Sequence, residues 1–74
     1  MFDREREEQH LAMANKHIEE AEIRIKNLMD RLDTLRDKKL NTKQTEQLLS
    51  LLVHALVTMQ RHRNVIIRRL KDGV

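Results

Sequence analysis

From Gln47 to Gln60 the chain reads QLLSLLVHALVTMQ, fourteen residues without a formal charge. Charged residues make up 36% of the protein and crowd both sides of this stretch, so whatever buries it decides the architecture. Placed at about 100° per residue, Gln47, Ser50, His54, Thr58 and Arg61 gather into one narrow polar stripe. Leucine, valine, alanine and methionine fill nearly all the remaining circumference. That apolar arc is roughly twice the ~100° face of an ordinary surface helix, so one neighbouring helix cannot cover it. Apolar residues come in pairs and triples rather than alternating, which argues against a strand. The stretch is also shorter than the ~20 apolar residues of a membrane span.

The chain is 74 residues long. That is enough for one domain, residues 1–74, but a single copy can bury only a modest core. There is no cysteine, which excludes disulfides and thiolate metal sites. Association is then the remaining way to enlarge the core, and the wide apolar arc asks for the same thing. Proline is absent and Gly73 is the only glycine, so nothing supports a β-rich fold or a glycine loop. Met1 is followed by charged residues without an apolar run, which predicts no signal peptide and a cytoplasmic protein. The net charge of +3 is mild and does not by itself imply a nucleic-acid partner.

Asp3 is placed to cap a first helix, with Glu5, Glu7 and Glu8 near the positive end of its dipole. Leu11, Ala14, Ile18, Ala21, Ile25, Leu28, Leu32 and Leu35 then follow spacings of three and four without a break. This is a coiled-coil-like a/d seam, and the opposite face is charged. The next seam positions, Lys39 and Thr42, are polar. Lys38 to Thr42 therefore reads as a turn, with Asn41 as the next N-cap and Gln44 completing a capping box. In the second helix, Leu49, Leu52, Leu56, Met59, Arg63, Ile66 and Leu70 repeat the seam spacing.

Folded back about residues 40 and 41, the two seams match. Leu32 meets Leu49, Leu28 meets Leu52, Ile25 meets Leu56 and Leu11 meets Leu70, and the small Ala21 and Ala14 fall near Met59 and Ile66. The basic tail of helix 2 comes to lie opposite Glu5, Glu7 and Glu8, with Glu19, Glu20 and Glu22 further along. The expected fold is all-α: an antiparallel helical hairpin, helix 1 about 3–39 and helix 2 about 42–71. Leu48, Leu51, Ala55 and Val53 or Val57 are left outside the seam, more apolar surface than a soluble monomer usually shows. The simplest remedy is a homodimer that forms a four-helix bundle, with Leu48, Leu51, Leu52, Ala55 and Met59 at the oligomer interface. A helix of a different protein is the other occupant this strip would fit.

The tail RHRNVIIRRLK reads two ways. Arg61, Arg63, Arg68, Arg69 and Lys71 have the chemistry to contact phosphates. They also suit the acidic start of helix 1 and the negative end of their own helix dipole. Phe2 is the only aromatic residue, so stacking on bases has no support. The second reading is the favoured one, and an amphipathic membrane-surface role is the minor third. Arg63 lies on the seam itself, where it either snorkels out or pairs with Glu19 or Glu22.

His10 and His17 are seven residues apart, two turns along one face, which is too far for one metal ion to join both within the helix. Glu7 and His10 have Glu-x-x-His spacing, but the seam supplies no facing carboxylates to complete a metal site. His54 sits on the polar stripe. Buried at a dimer axis, it would make association weaken as pH falls through about 6; in water it would do nothing of the kind. Ser50 is the only serine, and neither a phosphate loop nor a hairpin pocket is in view, so no catalytic residue, metal or cofactor is expected. The reading is a non-enzymatic helical hairpin that self-associates as a protein-interaction or assembly module. The alternative is a nucleic-acid-binding regulator that uses the arginine-rich end of helix 2.

Overall fold

In a computed structural model, which describes residues 2–73, two α-helices run antiparallel along each other. Helix α1 spans Arg4–Asp37 and α2 spans Lys43–Asp72. No strand forms among the described residues. The hairpin is a rod of 56 × 15 × 13 Å. No helix is long and apolar enough to cross a membrane, among the residues described.

The start of α1 is the expected one. Asp3 has extended backbone angles and its carboxylate accepts a hydrogen bond from the Arg6 N–H at 3.1 Å. Glu5 and Glu7 lie in the first turn, where their charge complements the helix dipole.

The seam closes the hairpin as its spacing demands. Every α1 seam position from Leu11 to Leu35 is buried or half-buried, and so is every α2 seam position from Leu49 to Leu70. Yet among the described residues only Ile18, Ala21, Leu32 and Ile66 are buried, and of these Ile66 alone is fully so. Two helices cover each other along one line only, so the flanks of each seam residue stay open.

The turn is where the structure departs from the sequence reading. α1 stops at Asp37 and not at residue 39, because Lys39 adopts a left-handed φ of 56°. The Lys39 N–H donates to the Arg36 carbonyl at 3.0 Å, and the Leu40 N–H donates to the Leu35 carbonyl at 2.8 Å. This is the Schellman pattern, which usually places glycine at the left-handed position. Here lysine occupies it, so the chain reverses without the residue that ordinarily marks such a stop.

The N-cap of α2 is also one residue later than expected. Asn41 does not cap the helix. Its side-chain oxygen instead accepts from the Lys43 N–H, two residues on, at 3.0 Å, an Asx turn. Thr42 precedes the helix with helical backbone angles and no side-chain cap bond. Gln44 is then too near the helix start to complete a capping box. Across the turn, Arg36 Nη2 reaches Glu46 Oε1 at 3.4 Å. At the far end, α2 stops on Gly73, left-handed at φ 68°, whose N–H donates to the Arg69 carbonyl at 3.1 Å.

A left-handed residue with a Cβ costs on the order of 1–2 kcal/mol, so Lys39→Gly should stabilise the hairpin by about 1 kcal/mol. Urea unfolding at fixed protein concentration checks this, and Lys39→Val should move the midpoint the other way.

Candidate functional site

α1 covers the seam side of α2 and leaves the rest open. Continuing round α2 at about 100° per residue, the uncovered apolar side chains divide between the two flanks of the seam. One flank carries Leu48, Leu51, Ala55 and Val65. The other carries Val53, Val57 and Ile67. The polar stripe of Gln47, His54, Arg61 and Arg68 separates them at the back. The exposed apolar surface of α2 is therefore two strips and not one, and on α1 Met13, Ile23 and Met29 are exposed as well.

The first strip contains the residues expected at an oligomer interface. Leu51 is 68% exposed and Leu48 48%, whereas Leu52, Ala55 and Met59 are half-buried. Leu52 and Met59 are seam residues whose edges face this flank. Leu48 and Leu52 line a groove of about 310 Å³ with Arg24, Asn27 and Leu28 of α1. The flank is thus built from both helices, and its apolar part lies toward the closed end of the hairpin.

Toward the open end the same flank becomes polar. Glu7, His10, His17, His62 and Arg69 line a second groove of about 380 Å³, together with Met13 and Ala14. Glu7 is its hub: Oε1 lies 3.7 Å from His10 Nδ1 and 3.8 Å from Arg69 Nη1. The carboxylate is largely shielded, and its Oε2 has no hydrogen-bond partner among the described residues. His62 shares a heptad position with Arg69, seven residues on, and the fold-back about residue 40 sets it beside His17, the signal by which sequence alone can place it in this groove. No three histidine, aspartate or glutamate side chains among the described residues stand close enough to hold a metal ion.

The basic tail is paired far less than its sequence position opposite the acids of α1 implies. Of Arg61, Arg63, Arg68, Arg69 and Lys71, only Arg69 forms an ion pair among the described residues, the one to Glu7. Arg4, near the start of α1, donates to the Leu70 carbonyl at 2.8 Å and so ties the open end together. Arg4 also lies 3.8 Å from Glu8, within its own helix. Arg63 is half-buried on the seam, its Nε shielded and without a hydrogen-bond partner, and the expected pairing with Glu19 or Glu22 does not form. Arg61, Arg68 and Lys71 are exposed.

His54 is exposed as well, and its Nδ1 donates to the Ser50 carbonyl of its own helix at 2.8 Å. Thr58 Oγ1 donates in turn to the His54 carbonyl at 3.2 Å. His54 therefore belongs to the solvated back of α2, roughly 100° round the helix from the Leu48 and Ala55 flank. No family model, curated protein or solved structure matches this chain.

Arg63 is the weakest layer of the seam, because a shielded polar nitrogen without a partner costs on the order of 1–3 kcal/mol. Arg63→Leu should therefore raise the unfolding free energy by about 1–2 kcal/mol, measured by chemical denaturation. A loss of that size would mean that the guanidinium is held by a contact worth more than its desolvation.

Proposed function

We propose that this protein is a non-enzymatic assembly module: two hairpins pair through the Leu48, Leu51 and Ala55 flank into a four-helix bundle. The observation that carries the reading is surface area. The chain exposes 6243 Å². A compact protein of 8.9 kDa would expose roughly 4,800 Å². The surplus, on the order of 1,400 Å², exceeds the ~800 Å² that each partner buries in a standard interface. A rod 56 Å long with four buried side chains among the described residues has too little interior for a domain of this size.

A second copy is the occupant that fits. A two-fold axis near Leu51 and Ala55 sets the large Leu48 and Leu51 of one copy against the smaller Ala55 and the edge of Leu52 in the other. Layers of large and small side chains interdigitate in this way. It stacks the apolar closed-end halves of the flank and leaves the histidine-lined open ends outside the contact. Leu52 and Met59 then serve both seams, which couples folding of the hairpin to its pairing.

Light scattering on a sizing column should give a dimer mass at micromolar concentration, and thermal unfolding should shift upward with protein concentration. Leu51→Asp buries an unpaired charge in the interface and should weaken pairing by about 100-fold or more, giving monomers. Arg68→Gln, on the back of α2, should leave the mass unchanged. A wild-type monomer at concentrations near 100 μM would sink the reading, since a functional interface of this size binds more tightly.

A further inference from the structure

We infer that the back of α2 is a docking ridge for duplex DNA, held mainly through its phosphates. At spacings of three and four, Arg61, Asn64, Arg68 and Lys71 form one continuous stripe along the outer side of the helix, and all four are exposed. His54 extends the stripe toward the turn. Between Glu46 and Asp72, α2 contains no acidic residue.

The fold sets this stripe apart from the acids of the chain. α1 holds nine acidic and seven basic residues, α2 six basic and two acidic. The helices meet along their seams, so the outer face of α1 and the outer stripe of α2 point in opposite directions. Arg61, Arg68 and Lys71 form no ion pair among the described residues. The mild net charge of +3 hides this separation. A polyanion approaching α2 meets cations first; of the α1 carboxylates, Glu7 reaches α2, where it pairs with Arg69 and not with the ridge.

The choice of polyanion follows from what the ridge lacks. Single strands are gripped by stacking bases on aromatic rings, and Phe2 is the only aromatic residue. An anionic bilayer is held firmly by an amphipathic helix that buries a broad apolar face, and beside this ridge α2 exposes only Val53, Val57 and Ile67, its other apolar side chains lying in the seam or on the opposite flank. The major groove of A-form RNA is too narrow for side chains to read. B-form DNA presents an open row of phosphates and a major groove about as wide as a helix. Arg61 and Lys71 stand about 15 Å apart along the axis, a span that covers several phosphates of one strand. Asn64, between Arg61 and Arg68, is the one uncharged side chain of the stripe suited to a base edge. The ridge lies roughly 100° round α2 from the proposed pairing flank, so both are open at once and neither depends on the other.

The test is fluorescence anisotropy with a labelled duplex of about 20 base pairs, at several salt concentrations between about 50 and 200 mM. Three phosphate contacts predict a slope of log affinity against log salt near −2.7, hence a loss of about 40-fold across that range for each ridge engaged. The Arg61→Gln/Arg68→Gln double variant should bind more weakly and flatten the slope by about 1.8. Lys16→Gln/Lys26→Gln removes the same charge from α1 and should leave the slope unchanged. Circular dichroism and light scattering on each variant keep loss of fold or of pairing distinct from loss of the ridge. The inference is overturned if no binding appears at the lowest salt. It is equally overturned if the α1 variant loses as much affinity as the α2 variant. Tighter binding to a single strand of equal length, or to anionic vesicles at equal charge, would also overturn it.

Discussion

The a/d seam between α1 and α2 is the interaction on which everything else in this molecule depends. It is a single line of side chains, from Leu11 to Leu35 on one helix and from Leu49 to Leu70 on the other. A line of contact fixes the rotation of each helix about its own axis. Once that rotation is set, each remaining residue of α2 is assigned to a flank or to the back. The apolar strips, the groove of histidines and the basic ridge all follow from it. The seam also explains why so much apolar surface of α2 stays open. Two cylinders touch along one line, and the arc from Leu48 to Met59 is too wide to be covered by one contact.

The ion pairs add little to this framework. Every side chain of Arg4–Glu8 and Arg36–Glu46 is at least half exposed, and pairs of that kind contribute at most about 1 kcal/mol. Glu7 is the exception in environment, being mostly shielded while it joins His10 and Arg69. It stands at the open end, where Arg4 also donates to the Leu70 carbonyl across the two helices. The closed end is held differently, by the Schellman hydrogen bonds around Lys39 and the Asx turn at Asn41. Each end of the rod is therefore fastened by polar contacts, and the middle by apolar ones.

Charge has an architectural meaning here that net charge conceals. An acidic α1 backs a basic α2, so the rod has two long sides of opposite character. Such a particle orients in the field of a polyanion before it touches it, with α2 leading. The apolar flanks lie between these two sides, which makes pairing of hairpins compatible with an exposed basic ridge. Assembly and docking would then use different surfaces of one helix. A protein this small would gain two surfaces because its helices are long and its connection short.

What the sequence determined by itself was everything that rests on periodicity: two helices, their antiparallel seam, and the uncovered Leu48 and Leu51, together with one feature read from side-chain chemistry, the Asp3 cap. Spacings of three and four repeat over several turns, so local errors average out. Single-residue features were less legible. The left-handed Lys39 gives no signal, because lysine is not the residue that favours that backbone. Asn41 has the same side-chain chemistry for a helix cap and for an Asx turn, and only the path of the chain selected the second. The partners of the basic tail were decided by tertiary structure alone. Periodicity puts Arg61 on the polar stripe of α2, but sequence order places the whole basic tail opposite acids along the rod and does not state which of its cations come within reach of them. The rotation set by the seam left Arg69 within reach of Glu7 and turned Arg61, Arg68 and Lys71 away. Whether a charge is neutralised depends on distances of a few ångströms in three dimensions, and these exist only after packing.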